Sequence, residues 1–156
     1  MSKNNITDEL IITTSARLSN EVGLNNLSLK MIAEELNIKE NAKKLPNIKY
    51  RKVEWQKPKQ RSDNVIELGY PMYDKEVENW INEFYKLKLV DFNYLENFEI
   101  YKHKEIENLS LEETLSYITF IIRGERFCDG HIASALENGM IEKLCNNLKE
   151  KGVNNG

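Results

Sequence analysis

The sequence predicts a mainly all-α protein with a helix-turn-helix-like N-terminal segment, a basic linker and a small C-terminal helical domain. Three observations carry this. Apolar residues recur at i, i+3, i+4 spacing over most of the chain, as a helix with one buried face requires. Glycine or asparagine stands where those runs end. Two of the three prolines fall in one aperiodic stretch, residues 46–63. The implied boundaries are 6–45, 46–63 and 64–151.

The first helix is expected from about Asp8 to Val22, with Thr7 or Asp8 as cap and Leu10, Ile11, Thr14, Leu18 and Val22 on one face. Gly23 stops it. Ser28 is a natural N-cap for a second helix, Leu29 to Leu36, which Asn37 ends because asparagine tolerates the left-handed conformation. A third, short helix within Glu40 to Leu45 is cut by Pro46. Residues 46–63 read as a linker or irregular arm, and the alternation through Ile48, Tyr50 and Val53 leaves room for an edge strand. Val77, Trp80, Ile81, Phe84 and Tyr85 then mark an amphipathic helix with an aromatic core face. Residues 90–101 are ambiguous between a short helix and extended structure. Ser110 with Glu113 forms a capping box opening a long helix through Ile122. Two further helices are expected over 131–138 and 140–151, closed by Gly139 and Gly152.

Composition excludes several functions. No stretch approaches the roughly 18–20 apolar residues of a membrane span, and no secretory signal is visible, so a cytoplasmic location and no membrane partner are expected. The two cysteines, Cys128 and Cys145, are expected as reduced, buried thiols. No glycine-rich phosphate loop occurs, and acidic pairs cannot be told from solvated helix faces. No cofactor and no catalytic site are therefore assigned.

Charge is unevenly placed. Residues 43–61 carry Lys43, Lys44, Lys49, Arg51, Lys52, Lys57, Lys59 and Arg61 against Glu54 alone, net +7, while residues 62–156 are net −8. A basic segment beside an acidic one fits a polyanionic partner. It equally fits a linker whose lysines pair with the acidic domain. Tyr50 and Trp55 among the lysines could stack on a nucleic acid strand, or Trp55 could dock on the C-terminal domain.

The run Arg17 to Ile38, with Gly23, Ser28, Ile32, Ala33, Leu36 and Asn37, resembles the start of a TetR/AcrR-family repressor over about residues 6–40. Two crossing helices need a small residue at their contact, and Ala33 is placed to supply it. The resemblance implies the DNA-binding domain of a dimeric, ligand-responsive regulator, with duplex DNA and a second copy as partners. Ser28 and Lys30 match positions that touch phosphate. Lys39, Asn41, Lys43 and Lys44 match the turn and recognition helix, whose N-terminal residues enter the major groove. The family's Leu-Tyr-x-His-Phe helix is here Asn41 to Pro46, without an aromatic residue.

A second run, Phe120 to Ala133 with Arg123-Gly124-Glu125-Arg126-Phe127-Cys128-Asp129-Gly130 at its centre, resembles an uncharacterised bacterial domain spanning about residues 64–150. That resemblance brings a family without an activity. Arg123, Glu125, Arg126 and Asp129 read as a mutually satisfied structural pin or as a small-anion or partner site. Cys128 beside His131 invites a nucleophile reading, and with His103 and Cys145 a zinc reading, but neighbours on a turn seldom face each other and no zinc module has this spacing. The reading that stands apart from DNA binding is a protein-interaction or small-ligand module.

Overall fold

The computed structural model describes residues 8–22 and 29–153. Ser28 and Gly23 lie outside the described residues. The chain is mostly helical, in the order α1 (Asp8–Val22), α2 (Leu29–Lys44), β1 (Glu54–Gln56), β2 (Lys59–Gln60), β3 (Ile66–Glu67), β4 (Tyr70–Met72), α3 (Lys75–Lys86), α4 (Tyr94–Tyr101), α5 (Leu111–Gly124), α6 (His131–Glu137) and α7 (Met140–Val153).

The expected turn at Asn37 does not form: α2 is one helix through to Lys44. The reason is visible in its buried positions, Ile32, Glu35, Leu36, Lys39 and Ala42, which follow helical spacing without interruption across Asn37. A bend there would lift Lys39 and Ala42 off the body. Ala33 faces solvent and not the α1 contact. That contact is a small cluster of Leu18, Ile32 and Leu36, flanked by Met31.

Pro46 follows the end of α2, and the chain then runs without regular secondary structure to Val53. Leu45 and Ile48 enter the main core with Ala42, joining Val77, Trp80 and Phe84 of α3, Ile118 of α5 and Leu144 and Leu148 of α7. The stretch expected as a linker or irregular arm thus begins as a strap held to the helical body. Its main chain is held by carboxylates of the last two helices: Tyr50 N–H donates to Glu142 at 2.8 Å and Val53 N–H to Glu137 at 3.0 Å.

The four short strands make one antiparallel ribbon in two pieces, β1 against β4 and β2 against β3. Arg61 N–H donates to the Val65 carbonyl at 2.8 Å and Asn64 takes a φ of 63°, which closes the tip. Gly69 is required at the joint, since a Cβ there would lie 2.6 Å from the Gln56 carbonyl. The alternation through Ile48, Tyr50 and Val53 does not form the expected edge strand: pairing begins only at Glu54, in β1.

Asp74 caps α3 by accepting from Val77 N–H at 3.0 Å. The ambiguous stretch resolves as α4, and its first turn is organised by Asp91, which accepts from Asn93 N–H, the Asn97 amide and the Ser116 hydroxyl. The capping box of α5 forms as read, Glu113 N–H reaching Ser110 Oγ at 3.1 Å. Gly139 adopts a φ of 76° between α6 and α7, whereas Gly152 sits inside α7.

Candidate interaction surface

The residues matched to a DNA contact scatter around α2. Lys30 and Lys44 are exposed and lie nearly four turns apart. Lys43 pairs with Glu40 at 3.0 Å. Asn41 donates its amide to the Leu87 carbonyl at 3.1 Å, so it faces the body. Lys39 is only 5% exposed and sits 3.9 Å from Glu35. A recognition helix needs its first residues free to reach base edges. Here two of them are spent on packing, and no short helix projects.

Glu35 is the centre of a charged cluster that the sequence did not reveal. Arg17 of α1 lies 2.6 Å from Glu35 and 3.8 Å from Glu112 of α5. Burial, reinforced by a hydrogen bond with the Glu112 carboxyl, pushes the Glu35 carboxyl up to about 7. This cluster ties α1 and α2 to the body.

The basic segment does not pair with the acidic domain in the expected way. Arg51 binds Asp74 and Glu76 at 2.6 and 2.8 Å, and Arg61 approaches Asp63 and Glu67. Lys44, Lys49, Lys52, Lys57 and Lys59 form no ion pair among the described residues. The acidic helices hold the strap through its N–H groups instead, which leaves these lysines in solvent.

On the ribbon, register sorts the side chains. Trp55 opposes Pro71 on one side, while Glu54 and Gln56 oppose Met72 and Tyr70 on the other. The indole of Trp55 lies against Gly130 at the start of α6, where a Cβ would fall 2.4 Å from its ring. Trp55 therefore docks on the C-terminal domain, as one of its two readings had it. The outer half of the ribbon packs on nothing described: Ile66 is 64% and Leu68 79% exposed, and Val65 is exposed beside them.

The charged cluster of the second motif is dispersed. Glu125 turns back and accepts from Tyr73 Oη–H at 2.8 Å, Gly130 N–H at 2.9 Å and Ile132 N–H at 2.7 Å. Tyr73 in turn accepts from Ala133 N–H at 3.1 Å. Together they satisfy the free N–H groups opening α6. Burial and the Glu125 carboxylate raise the Tyr73 phenol above its ordinary range, so it remains the donor. Arg123 lies over the Tyr94 ring at 5.5 Å, while Arg126 and Asp129 are exposed and form no ion pair among the described residues, so the four do not form a mutual pin. Glu125 alone is a pin, and its partners are backbone and Tyr73. The Tyr73 link, 52 residues away in sequence, had no pattern to announce it.

Cys128 is exposed, against expectation, and Cys145 is buried, its thiol raised to about 11 by desolvation. His131 Nδ1 contacts the Ile121 carbonyl at 3.0 Å, its ring filling the space over Gly124. Cys128, His131, His103 and Cys145 are not gathered, and among the described residues no group of three His, Cys, Asp or Glu side chains is placed to hold a metal.

Two clefts are roomy enough for a small ligand. One of about 620 Å³ between α2 and α5 includes Asp91 and Glu112. One of about 430 Å³ at the ribbon root includes Arg51 and Asp74. In each, one charged group is already committed, Asp91 to three donors and Arg51 to two carboxylates.

The architecture is a helical domain bearing a strapped, two-stranded arm, and among the described residues no helix is long and apolar enough to cross a membrane. The chain belongs to a family of unknown function, DUF6508, whose profile matches residues 36–151. The match covers the second motif, the strap and the end of α2. The resemblance of residues 6–40 to TetR/AcrR repressors is not accompanied by a family match. No curated protein and no solved structure matches the chain.

Proposed function

We propose that the protein is an interaction module whose ribbon grips a protein partner. The observation that carries this is the exposure of Val65, Ile66 and Leu68 at the outer end of a two-stranded element, Val65 and Ile66 on opposite faces of it. Such a ribbon has no hydrophobic reason to present these side chains to water and is marginally stable alone. Lys57 and Lys59 are exposed on the same arm, with Glu67 opposite Lys59, so the border offered to a partner is mixed in charge. The regulator reading is weaker, because Lys39 and Asn41 are turned to the body.

The test is a photo-crosslinking residue placed at Leu68 in cells that make the protein, with the same residue at exposed Lys75 of α3 as control. A discrete protein adduct from position 68 and none from position 75 is expected. No adduct, or equal adducts from both positions, overturns the proposal. So does duplex binding at low salt that Lys43→Glu with Lys44→Glu abolishes, which would restore the regulator reading.

A further inference from the structure

We infer that the cleft between α2, α5 and the loop joining α3 to α4 binds a small organic cation, an ammonium group carried on an apolar body. The site shares no residue with the ribbon, so it stands whatever the ribbon grips.

Helical spacing explains how its walls form. Glu34 and Ile38 are four residues apart on α2 and share one face of it; Glu112, Leu115 and Ser116 do the same on α5 at spacings of three and four. The loop closes the third side with residues 88–93. The volume, about 620 Å³, lies in the range that small ligands occupy. Leu89 and Leu115 are buried and give the cleft an apolar lining, while Phe92 keeps 81% of its surface open.

Charge selects the sign of the ligand. Three carboxylates line the cleft, those of Glu34, Asp91 and Glu112, against the single ammonium of Lys88. Asp91 is spent on the Asn93, Asn97 and Ser116 donors and so fixes the wall. The other two remain for a ligand. Glu34 is exposed and forms no ion pair among the described residues. Glu112 lies 3.8 Å from Arg17, too far for a hydrogen bond, and its side chain is 48% exposed. Burial works against its ionisation, but the hydrogen bond from the Glu35 carboxyl and the nearby Arg17 guanidinium hold the Glu112 carboxyl below its ordinary range. Even with Arg17 counted beside Lys88, the carboxylates outnumber the cations. An ammonium here meets two carboxylates able to accept its protons, and the open ring of Phe92 attracts a cation where it would not attract an anion. An anion would meet the same three carboxylates with Lys88 alone to hold it.

The experiment titrates the purified full chain, at neutral pH, into three probes of similar shape and follows the fluorine resonance of each. The probes are para-fluorophenethylamine, para-fluorophenethyl alcohol and para-fluorophenylpropionate, which carry a cation, a neutral group and an anion on the same ring. Saturable broadening is expected for the amine, binding about tenfold weaker for the alcohol, and none for the acid over the same range. Glu34→Gln should weaken the amine several-fold and leave the alcohol unchanged. Glu96→Gln, which removes an exposed carboxylate of α4 outside the cleft, should change neither. Both substitutions replace exposed side chains, so the far-ultraviolet spectrum should match that of the wild type. An amine that does not saturate at millimolar concentration overturns the inference. So does equal binding of the three probes, or amine binding that Glu34→Gln leaves intact or that Glu96→Gln weakens as much.

Discussion

Replacing Glu125 with alanine tests how the second motif earns its place in the fold. The carboxylate accepts three hydrogen bonds, from Tyr73, Gly130 and Ile132, at 2.7 to 2.9 Å. A bond to a charged group is worth about 1.5–3 kcal/mol when measured by deletion, and loss of a helix cap costs roughly 0.5–2 kcal/mol. The three bonds are only part-buried, so water replaces some of what is lost. The expected cost of Glu125→Ala is about 3 kcal/mol. In a chain of this size that lowers Tm by about 6–12 °C. Urea denaturation followed by tryptophan fluorescence reads it directly. Tyr73→Phe alone should cost about 1 kcal/mol. The two losses should not add, because each leaves the other group partly unpartnered, and a coupling of roughly 0.5–3 kcal/mol is expected from the cycle. A Glu125→Ala loss below about 1 kcal/mol with zero coupling would refute the cap, and the motif's charges would then have no structural role in α6.

Two other outcomes follow from geometry already described. Glu35 has its folded pKa raised to about 7 from 4.5, so the folded state holds a proton the unfolded state has lost; stability is therefore full below the unfolded value and declines as pH climbs to about 7. The decline is tempered by Glu112, whose carboxyl shares the hydrogen bond with Glu35 and is shifted the opposite way. Glu35→Gln should flatten it, and equal slopes for both proteins between pH 5 and 7.5 would exclude the buried proton. Gly130→Ala meets both a φ of 90° and the Trp55 ring, so its cost should exceed the about 1–2 kcal/mol of a left-handed alanine and drop to that figure in a Trp55→Ala background; equal costs in the two backgrounds would remove the contact.

Much of the helical plan was legible because helices announce themselves locally. Leu111 to Ile122 and its Ser110/Glu113 box, or Val77, Trp80 and Phe84, need only neighbours three or four residues away. The failure at Asn37 has the opposite cause. Asparagine permits a turn, but whether it makes one depends on what Lys39 and Ala42 can reach beyond it, and their burial against distant elements is a tertiary fact. Ala33 misled in the same way, its small size suiting a contact that the fold places elsewhere. The charges of the second motif were found as a group and misassigned as partners, since nothing local says that Glu125 folds back to Tyr73. The basic segment was seen, but that Glu137 and Glu142 would take its amides and leave its lysines was not. Side-chain identity fixes charge, whereas the main chain's share in pairing appears only with the fold.

The seam between the two resemblances lies where the molecule is least divisible. Ala42, Leu45 and Ile48 are in the main core, and the Lys149 ammonium of α7 reaches the carbonyls of Lys43, at 2.7 Å, and Leu45. A fragment cut at residue 46 would strip the hydrophobic interior of two of these side chains and leave a lysine aimed at an oxygen no longer there. The smallest piece able to stand by itself has to start within α2, and a library of truncations should show soluble expression collapsing once the cut passes its last two turns.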